Sequence, residues 1–297
     1  MDLGLLFMDP DEDAVVAAVA SIESDDDSDG GGKEDVINVN IEGFRAISNA
    51  SFKAHFRMSR LVFEDTFRST ALHYGKKRAS IHKQYNCAIE VLSELSGTYV
   101  KWPNALERDR ISTEISEKYG YIGAVGCIDG VHIDITAPLE NAQHYVNRHH
   151  SYSILVQAVC DNKMLYRDVY IGNPGAIGDV RNFDHSPLSL NLLTNPDMLS
   201  EGEHLLGDGA YTLTDKLMIP YADNGNLEEY MRTHNALLSS CRVKIENSFA
   251  LLRAKHRRLK KLPMRNPYLV RYHIAACFVL HNFILLEGNE CEVRASL

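Results

Sequence analysis

The chain has 297 residues, 45% of them hydrophobic, and a formal net charge of −9 at pH 7, an ordinary globular composition for one large domain or one domain with a smaller unit. No run of eighteen apolar residues occurs and the start has no basic segment, so we expect neither a membrane span nor secretion. The six cysteines form no CxxC pair, which argues against a disulfide framework or a structural zinc site and favours a reducing compartment.

The negative charge is concentrated at the start of the chain. Residues 1–40 contain twelve Asp or Glu and one Lys, so the remaining chain carries a net charge of +2. Low hydrophobicity, like charges and glycines in the stretch ESDDDSDGGG prevent a packed core there. We predict that residues 1–40 form an acidic disordered tail.

A helical N-terminal region is predicted over residues 41–117. A helix capped by Ser59 places Phe63 and Phe67 four residues apart on one face. A second apolar stripe of helical spacing ends at Trp102, which precedes a proline.

A run of strands follows, because the apolar period changes from helical spacing to alternation after Tyr121. Three segments have this pattern, with turn-forming residues between them, so we predict a three-strand antiparallel meander. The segments are residues 124–135, 153–160 and 164–171. A further short apolar segment leads to Asp208.

Two helices complete the predicted elements. Apolar residues recur at helical spacing between Ile245 and Leu259, which places Glu246 on a helix beside a buried stripe. A last apolar helix is predicted over about residues 268–286. Strands followed by helices that cover the sheet predict a mixed α/β layer fold.

Four acidic residues each follow an apolar or glycine-rich approach: Asp129, Asp179, Asp208 and Glu246. Carboxylates delivered in this way can meet around divalent metal ions, and oxygen-only sites suit Mg²⁺ or Mn²⁺. A pair of such ions about 4 Å apart holds both the attacking and the leaving oxygen of a phosphodiester. The pattern therefore predicts a metal-dependent nuclease.

Each acid also has a structural interpretation. Asp129 and Asp208 each precede a glycine, and the pair Asp-Gly favours a hairpin turn. Asp179 can cap a helix over the residues that follow it, and Glu246 can pair with Arg242 one helical turn earlier. The residues alone leave these alternatives open.

A basic stretch surrounds the last of these acids. Between Arg242 and Arg265 nine Lys or Arg stand against Glu246 alone, an excess able to neutralise phosphates. The run RAKHRRLKK can follow a DNA backbone or act as a nuclear import signal, and a solvated helix face is the alternative. The candidate nucleic-acid-binding residues are Arg148, Arg242, Arg253, Lys255, Arg257 and Arg258.

Five segments carry a family pattern when they are taken in order. They are GCIDGVHIDITAP, NRHHSYSILVQAVCD, GNPGAIGDVRNFDHSPL, LLGDGAYTLTDKLMIPY and RVKIENSFALLRAKHRRL, and they cover roughly residues 120–285. This text closely resembles the Harbinger (PIF/Harbinger) transposase-derived nuclease family of DDE superfamily endonucleases. The resemblance implies a ribonuclease H-like mixed sheet flanked by helices over residues 118–287, followed by a tail over residues 288–297.

The resemblance also gives the four acids roles. It implies that Asp129, Asp208 and Glu246 are the catalytic triad and metal ligands, and that Asp179 is a fourth acid at the metal site. The implied protein is a hydrolase that cleaves DNA with Mg²⁺ or Mn²⁺ by a two-metal mechanism. We expect it in the nucleus, with the cytoplasm as an additional location.

Family members usually carry a longer N-terminal segment with a helix-turn-helix. Only 34 residues separate Phe67 from Trp102 here, so a Myb-like DNA-binding protein is an expected partner for choosing the DNA target. The alternative function is a domesticated, non-catalytic, DNA-associated scaffold that acts through such a partner.

Overall fold

The computed structural model describes Gly75 and residues 77–295, the last nine of them as backbone only. The predicted acidic tail and the helix capped by Ser59 lie outside the described residues. By its internal contacts the chain divides into two compact units, Met1–Val91 with Glu287–Leu297 and Leu92–Leu286. The sheet and all four acids belong to the second unit.

The described elements follow one another in blocks of three helices, three strands, two helices, two strands and two helices. The helices are α1 (Arg78–Glu94), α2 (Ser96–Tyr99), α3 (Ala105–Tyr119), α4 (Asp179–Asp184), α5 (Pro187–Thr194), α6 (Glu229–Lys255) and α7 (Pro267–Ala295). The strands are β1 (Ala124–Asp134), β2 (Ser153–Cys160), β3 (Tyr166–Pro174), β4 (His204–Leu206) and β5 (Leu217–Met218). Short 3₁₀ turns cover Ala142–Tyr145 and Arg257–Lys260.

The five strands form one mixed sheet in the order β3-β2-β1-β4-β5. β1, β2 and β3 are antiparallel neighbours, which confirms the predicted meander. β4 pairs parallel with β1, and β5 pairs parallel with β4. The sheet therefore has an antiparallel half built from consecutive strands and a parallel half reached through longer connections.

Strand β1 continues through Asp129 and Gly130, so these two residues do not form a hairpin turn. Asp129 pairs with Ala158 and Gly130 pairs with Gln157 of β2. Every residue of β2 is buried, and pairing with this central strand outweighs the local turn preference of an Asp-Gly pair.

Helices cover both faces of the sheet. The larger core contains residues of β1, β2, α3, α6 and α7, among them Ile245 and Phe249 at the predicted helical spacing. A smaller core on the other face joins Val125 and Val159 of the sheet to Leu188 of α5. The protein is therefore a mixed α/β fold with helices on each side of the sheet.

Helix α3 has clear local start and stop signals. The Asn104 side chain accepts a hydrogen bond from the Glu107 backbone N–H, and the Glu107 carboxylate accepts one from the Asn104 N–H. Gly120 ends the helix in the left-handed conformation, with a φ of 74°, which glycine adopts without strain.

Helix α7 is long and largely apolar. By length and composition alone Pro267–Leu286 could cross a membrane, but 61% of that window is buried inside the protein, and core helices pass the same test. Its Phe278 lies edge-on against Tyr166 of β3, with ring centroids 4.5 Å apart. The helix continues to Ala295, beyond the predicted end at residue 286.

Candidate active site

The centre of the candidate site is Asp129, in the middle of β1. β4 pairs only with the first part of β1, from Ala124 to Cys127, so that edge of β1 has no strand partner in the described chain at Asp129. One oxygen of the carboxylate accepts a hydrogen bond from the Gly130 N–H at 2.8 Å. The other oxygen lies 3.3 Å from an Nη of Arg242 on α6.

Asp208 reaches the same place from the neighbouring parallel strand. Leu206, the last residue of β4, is the partner of Cys127, so Asp208 and Asp129 both follow that pair by two residues. Parallel strands deliver the residues at their carboxyl ends to one edge of the sheet. The Asp208 carboxylate also accepts a hydrogen bond from the Ala210 N–H at 3.0 Å, so the turn role suggested by the sequence coexists with a place beside Asp129.

Asp179 is the first residue of α4 and points at β1. Gly178 is the N-cap of this helix and no side-chain capping bond is present, so Asp179 does not cap it. An Asp179 oxygen instead fills the space that a Cβ on Gly130 would occupy. Glycine at position 130 therefore lets the third carboxylate approach the strand that carries Asp129.

The three aspartates influence one another electrostatically. Burial raises the pKa of Asp129 to about 6; Arg242 and the Gly130 N–H act against this rise, and Asp208 and Asp179 add to it. Burial, followed by the nearby Asp208 charge, also raises the pKa of Asp179. The sequence-predicted Asp129, Asp179 and Asp208 are thus brought together in space.

Glu246 is not part of this cluster in the structure. It is an exposed residue of α6, and no ion pair or hydrogen bond of its carboxylate occurs in the described chain. Arg242, the alternative partner one turn earlier, pairs with Asp129 instead. Because residues four apart share a helix face, Glu246 projects from the same stripe as Arg242 and lies one turn further along it.

Two buried polar atoms beside the aspartates have no hydrogen-bond partner in the described chain. They are the Tyr211 hydroxyl and Nε of Arg242. Burial, then Asp179, Asp129 and Asp208 in that order, raises the pKa of Tyr211 above its ordinary range, which places the phenol near the three carboxylates.

The donor chemistry fits a hard divalent cation, because such a cation would relieve the raised pKa values of Asp129 and Asp179 and the unpartnered buried polar atoms beside them. In the present arrangement the side chains do not form a complete metal site. Among the described residues no group of three or more His, Cys, Asp or Glu lies close enough together to hold a metal ion. Arg242 would have to release Asp129, and Glu246 would have to turn inward.

A buried amide layer beneath Asp179 was missed by sequence reasoning. Gln157 of β2 is fully buried and neither amide atom has a partner in the described chain; the same is true of Nδ2 of Asn182 on α4. Asn182 Oδ1 accepts a hydrogen bond from Asn173 at 2.8 Å, which ties α4 to β3. The available signal was a glutamine between the apolar residues Val156 and Ala158 of the buried strand SILVQAVC.

The predicted nucleic-acid-binding residues have different environments. Arg253 donates a hydrogen bond to the His132 carbonyl at 2.8 Å and so ties α6 to β1. Arg148 and Arg257 are exposed, while Lys255 and Arg258 are half-buried. Arg242 and Arg253 therefore tie α6 to β1, whereas Arg148, which donates a hydrogen bond to its neighbour His149 at 3.2 Å, and Arg257 are exposed to solvent.

Comparison with known proteins adds a family to this geometry. The family model described as DDE superfamily endonuclease matches residues 128–282, which include all four acids. The chain is 28% identical over 220 residues to "Putative nuclease HARBI1" of Homo sapiens, and 28% identical over 222 residues to its Rattus norvegicus counterpart. Both alignments cover 73% of this chain and 62% of the relative.

A plant protein is also similar. "Protein ALP1-like" of Arabidopsis thaliana is 23% identical over 230 residues, which is 71% of this chain and 55% of that protein. The chain thus spans less than two thirds of the length of these relatives. No solved structure matches the chain.

Proposed function

The chain belongs to the DDE superfamily endonucleases, and on that premise we propose that it is a Mg²⁺- or Mn²⁺-dependent DNA endonuclease that hydrolyses phosphodiester bonds by a two-metal mechanism. The observation that carries the proposal is the convergence of Asp129, Asp179 and Asp208 at the open edge of β1. A ribonuclease H-like fold is part of the proposal. The strand order β3-β2-β1-β4-β5, with an antiparallel meander followed by parallel strands, supports it.

The proposed ligands are the catalytic triad Asp129, Asp208 and Glu246, with Asp179 as an additional one. Divalent cations held there would neutralise the phosphoryl oxygens and lower the pKa of an attacking water. The chain itself must provide ionised carboxylates for this. Because the pKa of Asp129 is raised, Asp129 must lose its proton before it can bind a cation.

Arg242 is the residue whose position must change for this site to assemble. Its guanidinium now neutralises Asp129, and its release would free that carboxylate and leave a cation facing a DNA phosphate. Glu246 projects from the same helix face one turn later, so it is the acid that replaces Arg242 at the cluster. Arg148, Lys255, Arg257 and Arg258 are the proposed contacts to the DNA backbone.

The proposal includes a location and a partner. The basic run over residues 253–261 supports import into the nucleus, and a Myb-like DNA-binding protein would choose the target. A reporter fused to residues 253–261 that stays in the cytoplasm would contradict the first part.

A plasmid cleavage assay tests the function. The full chain should nick supercoiled DNA with about 10 mM Mn²⁺ and lose that activity with EDTA, which removes the metal. Removal of a carboxylate ligand should also reduce activity, because each ligand contributes to metal affinity. Asp208→Asn should abolish nicking while keeping the oxygen that accepts the Ala210 N–H. The matched control is Asp215→Asn, an exposed aspartate seven residues away, which should retain full activity.

One observation favours a second candidate, a non-catalytic DNA-associated scaffold. Arg242 already compensates Asp129, and Glu246 faces solvent, so the described arrangement is also stable without chemistry. A scaffold would bind DNA equally well as wild type and as Asp208→Asn, with a salt-dependent affinity and no cleavage in either protein.

A further inference from the structure

Strand β3 is one of the two edge strands of the sheet. Side chains form hydrogen bonds with its backbone at both ends of the strand. Asn282 of α7 accepts a hydrogen bond from the Tyr166 N–H at 2.8 Å and donates one to the Tyr166 carbonyl at 2.7 Å. At the far end Arg271 donates to the Gly172 carbonyl at 2.9 Å. Natural proteins block edge strands in such ways, because free backbone groups invite pairing with another chain.

The middle of the same edge is open. Gln157 and Val159 of β2 turn their backbones towards Tyr170 and Asp168, and a β-bulge follows at Gly172, so the backbone groups that face outward belong to Val169 and Ile171. No hydrogen bond from outside the sheet reaches the backbone of either residue in the described chain. Two adjacent outward-facing residues therefore keep both their N–H and their C=O groups available.

A cleft of about 560 Å³ runs along this open stretch, and we name it the edge cleft. Residues 167–171 of β3 line its floor. One wall comes from α7 with Tyr272 and Phe278, and the other from Trp102 and Leu188. The walls are firmly placed, since the Trp102 indole N–H donates to the Met198 carbonyl at 2.9 Å and Phe278 is buried in the core.

An acid without a partner lies in this largely apolar cleft. Asp168 makes no hydrogen bond or ion pair through its side chain in the described chain, and burial raises its pKa to about 6. The neighbouring Arg167 is committed elsewhere, to Asp161 at 2.8 Å and Glu107 at 3.7 Å. A partly buried carboxylate with no compensating charge is unfavourable unless a cation arrives from outside.

We propose that the edge cleft is a docking site for an extended peptide segment of a partner protein, which adds to β3 as a sixth strand and places a lysine or arginine against Asp168. The free backbone groups of Val169 and Ile171 give the main-chain hydrogen bonds, and the aromatic walls hold the alternate side chains. The distance from Tyr166 to Gly172 corresponds to about 20 Å of strand, which sets the length of the docked segment at roughly four to six residues. This docking does not depend on the proposed nuclease activity.

Selection from a random octapeptide library displayed on phage, with the full chain as bait, tests the site. The expected peptides alternate β-branched or aromatic residues and carry a lysine or arginine at one fixed position. A synthetic peptide chosen this way should lose about tenfold in affinity for Asp168→Asn, because a charged partner is removed from a partly buried pair. Asp109→Asn, an exposed aspartate on α3, is the matched control and should bind as wild type does.

Amide hydrogen exchange supplies the second readout. Peptide binding should slow exchange at the Val169 and Ile171 amides, and a peptide methylated at its own pairing nitrogens should neither bind nor protect them. Selected peptides that bind Asp168→Asn unchanged, or a selection without basic residues, would overturn the proposal. It would also be overturned if both amides are already protected in the free chain, or if a single-stranded oligonucleotide protects them and no peptide does.

Discussion

At the scale of single residues, the candidate site depends on the absence of a Cβ atom at Gly130. The closest atom to a Cβ built at this position is an oxygen of Asp179, and the next is still part of the same carboxylate. Position 130 therefore controls how near the third aspartate comes to Asp129. The sequence alone offered Gly130 as a turn residue, whereas the structure places it inside β1, paired with Gln157, with an Asp179 oxygen against it.

Gly130→Ala should weaken Mn²⁺ binding by about tenfold, because the added methyl group pushes the Asp179 carboxylate away from its neighbours. The stability change should stay within about 1 kcal/mol, since the displaced atoms are the end of a flexible side chain and alanine suits a strand better than glycine. Mn²⁺ titration and urea denaturation measure the two effects. Gly209→Ala, where the new Cβ meets only an ordinary contact with Pro220, should change neither.

The pH dependence of metal binding is a second residue-scale prediction. The folded pKa of Asp129, about 6, lies above its ordinary value, so the proton competes with a cation up to that pH. Mn²⁺ affinity should therefore rise as pH increases through 6 and level off above it.

Arg242→Gln removes the charge that holds the pKa of Asp129 down, so the midpoint of this pH dependence should move to higher pH. Affinity at pH 8 should not fall, because Arg242 and the cation compete for one carboxylate. An unchanged midpoint would contradict the role given to this ion pair.

At the scale of elements, the site depends on how α4 is held over β2. Asp179 and Asn182 are three residues apart on this short helix, so both face the sheet, and Asn182 is tied to β3 through Asn173. Gln157 lies opposite Gly130 with both amide atoms unpartnered in the described chain. We predict that this polar side chain, opposite Gly130, helps to position Asp179 of α4.

Gln157→Met should separate stability from metal binding. Removing a buried, unsatisfied amide from an apolar strand should leave the free energy of unfolding unchanged or raise it by about 1 kcal/mol. Mn²⁺ affinity should fall, because the amide layer under Asp179 is lost. A variant that loses stability and keeps its metal affinity would show that Gln157 is only a structural residue.

The sequence predicted elements better than their long-range partners. Alternation gave the three-strand meander, and the spacing of Ile245 and Phe249 gave the buried face of α6, because both are local periodicities. The pairing of Arg242 with Asp129, 113 residues apart, has no local signal. The side of α6 on which Glu246 lies follows from the helix phase, yet the exposure of its carboxylate has no local signal in the sequence.

At the scale of the whole molecule, α7 places two neutral histidines in the core. Burial lowers the pKa of His273 to about 3 and that of His281 to about 4. Both folded values lie below the ordinary 6.5, so the unfolded chain takes up protons that the folded chain does not. Their stabilising contribution is complete above pH 6.5 and is lost as pH falls from 6.5 towards 4.

Urea denaturation between pH 7.5 and pH 5 should show this loss. His281→Gln should reduce the slope of the free energy of unfolding against pH by up to about 1.4 kcal/mol per pH unit below 6.5. The reason is that the variant lacks a group that takes up a proton in the unfolded chain but not in the folded one. His185→Gln changes an exposed histidine and should keep the wild-type slope. The raised pKa values of Asp129 and Asp168 stabilise the folded chain as pH falls below 6, which is the opposite effect. Wild type and both histidine variants share this contribution, so it does not affect the difference between their slopes.

The central claim, that the three converging aspartates bind a divalent cation, is tested most directly by thermal unfolding with and without about 10 mM Mn²⁺. A site with a dissociation constant of about 1 mM should add roughly 1.4 kcal/mol, or about 3–6 °C in Tm, to wild type and to Asp215→Asn. Asp208→Asn should show no such shift. A wild-type Tm that Mn²⁺ leaves unchanged, or an equal shift in Asp208→Asn, would contradict the claim.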